Sequence, residues 1–183
     1  MSQIVPVLIG LSEAGWNVGV ISCEKILATQ SLQGRLNNAG VRWKILKFGR
    51  VGAFGGLGRL IRLSFNLPRA NAYHCRGDLA AVACVLRHRS NILWDVRGLW
   101  IDQKLVIGSI SKNVLIIWAA RKLERIASLN AKAVTTLTKA VYPVLQRRNP
   151  RITNFHEVIP TCTDLVKFTF QEKLPANRNL LLS

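Results

Sequence analysis

Between Asp95 and Asp102 the chain gathers five residues suited to chemistry: Asp95, Arg97, Gly98, Trp100 and Asp102. Two carboxylates this close could work as a paired acid and base. The Arg97 guanidinium is a planar fork that suits a phosphate or a carboxylate. Gly98 would let the backbone approach a ligand closely. Trp100 could stack on a flat ligand face or fill the core of its own loop. Arg97 also has a plainer alternative, an ion pair with Asp95 or Asp102 that shapes the loop. His74, Arg76 and Glu24 are further candidates, because each ends a run that reads as a strand. A lone histidine at a strand end is equally at home as a satisfied structural residue. Glu124, one turn from Arg121, reads as a surface pair on a helix.

These residues need a scaffold, and the chain supplies one. The apolar run Ile92, Leu93, Trp94 stops abruptly at Asp95. Short apolar runs bounded by polar breakers suit buried parallel strands. In open α/β sheets, ligands bind beyond the carboxyl ends of the strands. Strand-like segments fall at 16–22, 41–48, 70–75, 91–95, 133–137 and 157–160. Helix-like segments fall at 2–14, 29–38, 79–87, 112–129 and from Thr138 to near Arg148, with Asp78 and Thr138 as expected caps. The stretch 96–111 reads as a polar loop. This alternation predicts an α/β fold, a Rossmann-like doubly wound parallel sheet with helices on both faces.

The segment 49–69 has its own character, with five glycines and four arginines. From Leu57 onward, Leu57, Leu60, Ile61 and Phe65 are read as one helical face, with Arg59 and Arg62 beside them. A basic amphipathic segment of this kind suits a membrane interface. Its contact residues would be Arg59, Leu60, Arg62 and Phe65. An ordinary surface helix packed on the sheet is the alternative.

Composition sets the outer limits. The 183 residues carry 26 Lys and Arg against 9 Asp and Glu, a net charge of +17. Such an excess draws polyanions: nucleic acid, anionic lipid or phosphorylated ligands. A nucleic-acid reader is disfavoured, because no aromatic-basic stacking platform or standard reader motif is present. No apolar run approaches the roughly 20 residues that span a bilayer. The opening residues lack a basic region followed by a long apolar core, so no secretory signal is expected. The four cysteines, Cys23, Cys75, Cys84 and Cys162, form no C-x-x-C pair, and reduced thiols in a cytoplasmic protein are expected, with no metal site.

Four groups of residues together carry a resemblance. They are the run from Ser2 and Gln3 through Gly15 to Glu24 and Lys25; His74, Cys75, Arg76 and Gly77; Trp94 through Asp102; and a last, most specific group. That group joins Leu123, Glu124 and Arg125 with Leu137, Thr138, Lys139 and Ala140, then Val158 through Asp164 and Phe168. In order and spacing they resemble the N-terminal domain of glycosyltransferase family 4, whose enzymes have the two-Rossmann-domain (GT-B) architecture. The resemblance implies one acceptor-binding domain over residues 1–175. Residues 176–183 would form a connector and the start of a C-terminal domain that binds the nucleotide-sugar donor. The family's first strand and glycine-rich loop would lie before Ser2. Arg97 stands where relatives often place a sugar-facing histidine.

The resemblance further implies a retaining transfer of sugar from a nucleotide-sugar donor to a lipid-linked or polysaccharide acceptor, with no other cofactor. The acceptor would meet Asp95, Arg97, Gly98, Trp100, Asp102, His74, Arg76 and Glu24. No catalytic residue is assigned, since retaining transfer in the family is thought to use the donor phosphate rather than a protein base. The expected location is cytoplasmic, peripheral on the anionic inner face of the cell membrane. The alternatives are a nucleic-acid-binding protein or a membrane-surface module without catalysis.

Overall fold

The structure is a computed structural model and describes residues 4–25, 30–108, 114–152 and 154–160. Helices and strands alternate as α1 (Ile4–Glu13), β1 (Gly19–Glu24), α2 (Gln30–Asn38), β2 (Arg42–Lys47), α3 (Ala53–Asn66), β3 (Tyr73–Arg76), α4 (Asp78–Leu86), β4 (Ile92–Val96), α5 (Trp100–Val106), α6 (Val114–Asn130), β5 (Ala133–Thr136), α7 (Val141–Arg148) and β6 (Phe155–Val158). Every recorded strand pair is parallel. The chain is therefore α/β, with parallel sheets flanked by helices in a Rossmann-like arrangement.

Among the described residues the strands form two sheets rather than one continuous sheet. β1 pairs with β2, and β3, β4, β5 and β6 follow in that order. Each sheet has its own core. The larger joins Tyr73, Cys75, Ile92, Trp94, Val96 and Val134 to α4, Ala127 of α6, and Tyr142 and Leu145 of α7. The smaller rests on Val5, Leu36 and Val41. In α4, Ala81 and Ala83 are fully buried. Their small side chains let the helix backbone close on the strands beneath.

Helix ends follow from local chemistry. At α1, Trp16 N–H donates to Leu11 O and Gly15 N–H to Ser12 O; at α2, Val41 N–H donates to Leu36 O and Gly40 N–H to Asn37 O. This double bond pattern closes a helix through a left-handed residue, and Gly15 and Gly40 supply it with φ of 86° and 73°. The sequence-expected caps differ. Asp78 is the first residue of α4 rather than its cap, with Gly77 before it. Thr138 does not cap α7, whose N-cap position is Ala140 with no side-chain bond. The expected polar loop after β4 contains α5, a helix that periodicity over seven residues could not reveal. Ser2, Thr29 and Lys112, the expected starts of three helices, lie outside the described residues, as do the motif from Thr161 to Phe168 with Cys162, and the connector 176–183.

The helix α3 corrects the reading of its faces. Leu60 is buried in the larger core, with Leu63 packed against it, so Leu60 does not belong to an outer stripe. Arg62 donates to Lys47 O at 2.7 Å, and Arg59 donates to Arg50 O at 3.0 Å while lying 4.1 Å from the Phe48 ring centroid. Both arginines are turned toward the end of β2 and its following loop. The outward stripe is Phe54, Leu57, Ile61 and Phe65, at three- and four-residue spacing, with Phe54 90% and Phe65 77% exposed. Of the four expected membrane-contact residues, only Phe65 lies on this stripe. Gly55 seats the start of α3, because a Cβ there would collide with the Arg50 carbonyl.

Candidate functional site

Parallel register assembles one polar surface from four strands. Arg76 pairs with Asp95, Asp95 with Thr135, and Thr135 with Glu157. Alternation along each strand keeps His74, Arg76, Asp95, Thr135 and Glu157 on one face. Tyr73, Cys75, Trp94 and Val134 occupy the other face and the core.

Asp95 is the centre of the polar face and is buried. Thr135 donates its hydroxyl to Asp95 Oδ1 at 3.1 Å. His74 Nε2 lies 3.7 Å from Asp95 Oδ2, and Arg97 Nη1 lies 3.9 Å from the same oxygen. Burial pushes the Asp95 carboxyl up, but His74, Arg97 and Thr135 outweigh it and hold the pKa below the ordinary carboxylate value. An acid held ionised in this way is a weak proton acceptor. It is well suited to hold and orient a hydroxyl or a cationic group.

Asp102 is placed differently. It lies on α5, where Arg121 Nη2 reaches its Oδ1 at 2.5 Å and Arg148 Nη2 reaches its Oδ2 at 3.0 Å. Its pKa is pushed up by partial burial and pulled down further by both arginines, ending below the ordinary value. Two carboxylates that are both held ionised do not divide into an acid and a base. The two carboxylates have separate partners, Asp95 with His74, Arg97 and Thr135 and Asp102 with Arg121 and Arg148. The Arg97 alternative is partly realised, as a long ion pair to Asp95.

The same arginines hold Glu124, with Arg121 Nη1 at 3.1 Å and Arg148 Nη1 at 3.2 Å from its Oε2. Glu124 is buried, so the expected surface pair with Arg121 is instead part of a four-member network that ties α5, α6 and α7 together. Trp100 opens α5 and donates its indole N–H to Asp78 Oδ2 at 2.6 Å. Its polar edge thus faces the start of α4. A Cβ at Gly98 would meet only the movable amide end of Gln103, and it is the backbone φ of 157° that favours glycine there.

Glu24 ends β1 in the smaller sheet and lines a separate cavity with Lys25, Lys47 and Arg62. It is not brought to Asp95. The structure therefore assembles His74, Arg76, Asp95 and Arg97, adds Thr135, and leaves Trp100, Asp102 and Glu24 engaged elsewhere. Thr135 carried no signal in the sequence, since it meets Asp95 only through the β4–β5 register, 40 residues away. Among the described residues, no group of three His, Cys, Asp or Glu could hold a metal ion. Cys75 and Cys84 are buried with their sulfurs 3.4 Å apart, a proximity that their spacing did not suggest.

Asp78 gives the site a measurable pH signature. Burial raises its carboxyl from 3.8 to about 6, with the Glu124 charge adding to the rise and Trp100, Trp94 and Arg121 opposing it. Between pH 4 and 6 the folded chain therefore keeps a proton on Asp78 that the unfolded chain has lost. Stability contributed by this group falls as pH rises through that window. His156, whose pKa is lowered by burial, works in the opposite sense below its ordinary value. The comparison that isolates Asp78 is wild type against Asp78→Asn in urea unfolding at successive pH values. Wild type should lose stability relative to the variant from pH 4 to 6; a constant difference across the window contradicts the assignment.

No protein-family model matches the chain, and no curated protein matches it. What stands on the structure alone is a Rossmann-like α/β fold with a polar site at the carboxyl ends of β3, β4 and β5. No helix among the described residues is long and apolar enough to cross a membrane.

Proposed function

We propose that this chain is the acceptor-binding half of a retaining glycosyltransferase, holding a lipid-linked or polysaccharide acceptor while a second domain presents the nucleotide-sugar donor. The observation that carries the reading is the Asp95 constellation. A buried, ionised carboxylate with His74, Arg97 and Thr135 around it, beyond parallel strand ends, suits the fixing of an acceptor hydroxyl. The resemblance in motif order supports it. The exposed stripe of α3 supports action at a membrane surface, peripheral on the anionic inner face. That stripe alone would equally serve a non-catalytic membrane-surface module, which would bind lipid without binding a glycan acceptor.

Titration with a short-chain lipid diphosphate sugar tests the reading. Saturable binding is expected, with Asp95→Asn about tenfold weaker through loss of charge-assisted hydrogen bonding. No sugar transfer is expected from this chain with a nucleotide-sugar donor. Turnover by this chain alone, or equal binding by the variant, would overturn the proposal.

A further inference from the structure

A second site lies at the other sheet. The carboxyl ends of β1 and β2 and the entry to α3 enclose an open cavity of about 620 Å³. Four cations line it: Lys25, Lys47, Arg50 and Arg62. Glu24 is the one carboxylate in the lining among the described residues, and it forms no ion pair there. None of the four cations has a carboxylate partner among the described residues. Lys25 and Arg59 instead lie over the Phe48 ring, 5.1 Å and 4.1 Å from its centroid.

Gathering four cations against a single carboxylate costs Coulomb energy that a bound anion would relieve. The geometry limits the kind of anion. Arg62 is fixed by its bonds to the Lys47 and Phe48 carbonyls, so its guanidinium is already oriented. Lys47 and Arg50 are exposed and adaptable around it. A compact, multiply charged oxyanion satisfies such a set better than a single carboxylate, because it offers several acceptor oxygens to several donors. The lining also includes the apolar side chains of Val51 and Phe54. Phe54 then leads along the exposed stripe Leu57, Ile61 and Phe65.

We propose that this cavity is a phosphate-binding site, that it takes a phosphate monoester or diphosphate group, and that the group is carried by a membrane lipid whose hydrocarbon contacts the α3 stripe. Cation and apolar surface adjoin in the order that a lipid phosphate presents them, headgroup first and chain beyond. The assignment rests on the cavity and the stripe, and stands apart from the Asp95 site.

Two measurements test it on the whole chain. In calorimetric titration, inorganic pyrophosphate should bind wild type. Lys47→Gln with Arg50→Gln should weaken that binding about tenfold or more, since each loses a charge-assisted contact. Both side chains are solvent-exposed, and an unchanged circular dichroism spectrum confirms the fold. In vesicle sedimentation at matched surface charge, phosphatidylcholine vesicles with phosphatidic acid should be preferred over those with phosphatidylglycerol. Pyrophosphate should displace the phosphatidic acid preference, and Leu57→Ser with Phe65→Ser, both on the stripe and outside the cavity lining, should abolish vesicle binding while leaving pyrophosphate binding intact. Equal pyrophosphate binding by wild type and the Lys47, Arg50 variant overturns the site. Pyrophosphate binding without any phosphatidic acid preference overturns the lipid source and identifies a soluble phosphate ligand. Lost acceptor binding with pyrophosphate binding intact sinks the glycosyltransferase reading and leaves this one standing.

Discussion

Replacing Glu124 with alanine is expected to destabilise the protein by about 3 kcal/mol, the scale seen when one member of a buried ionic network is removed. Glu124 and Asp102 together balance Arg121 and Arg148, and every member touches both opposite charges. The Glu124 side chain is only 6% exposed, so water cannot replace what the alanine lacks. Two guanidiniums would then share one carboxylate on α5, and α7 would lose its ion pair to α6. Glu124→Gln keeps the volume and one acceptor oxygen, and should cost less. The measurement is the urea midpoint at constant slope. Removal of the Glu124 charge should also lower the Asp78 pKa, because that charge helps to raise it. A loss under about 0.5 kcal/mol, the range of ordinary surface changes, would show that the network is incidental to stability.

The second large effect lies at Trp94. It is fully buried on β4, between Cys75 of β3 and Val134 of β5 in register, and is the largest fully buried side chain among the described residues. Truncation to alanine removes its transfer energy and leaves a cavity, a loss of about 3–5 kcal/mol. Marginal stability of about 5–15 kcal/mol makes that a large share of the total. Trp94→Phe separates packing from polarity. The buried Trp94 indole N–H is directed at the Asp78 carboxyl, whose pKa it helps to hold down, without a hydrogen bond of full geometry. Phenylalanine keeps most of the buried ring volume and gives up only the interaction with Asp78, so its cost should be well under half that of alanine. Thermal and urea unfolding of the two variants measure the difference. Equal losses for Phe and Ala would mean that volume at this position does not govern stability.

Much of the scaffold was legible in the sequence because its signals are local. Gly15 and Gly40 announce helix ends within a few residues of where they act, and β4 follows from one apolar run. What the sequence hid is what pairs at a distance. Asp102 finds Arg148 from 46 positions away, and Thr135 finds Asp95 from 40. Neither pair has a periodicity to read. The α3 helix was misread for a different reason. It is apolar on two sides, and periodicity alone assigned Leu60 to the wrong one. The chemistry around Asp95 was legible as a set of residue types, but only the packing of α5 beside α4, α6 and α7 showed that Trp100 and Asp102 serve other partners. The expectations that rest on the Thr161 to Phe168 motif lie beyond the described residues.

The unequal cores have a consequence for motion. The unit of α1, β1, α2 and β2 rests on three fully committed apolar residues, whereas the β3–β6 unit draws on a far larger cluster. Opening free energy scales with what an element buries, so the smaller unit is expected to open at a lower free energy than the larger. The first can loosen while the second stays closed. One wall of the basic cavity, formed by the ends of β1 and β2, belongs to the looser block, and α3 reaches across to the firmer one. An occupant that bridges both walls would therefore act as a clamp, lending the smaller block a rigidity that its own packing does not supply.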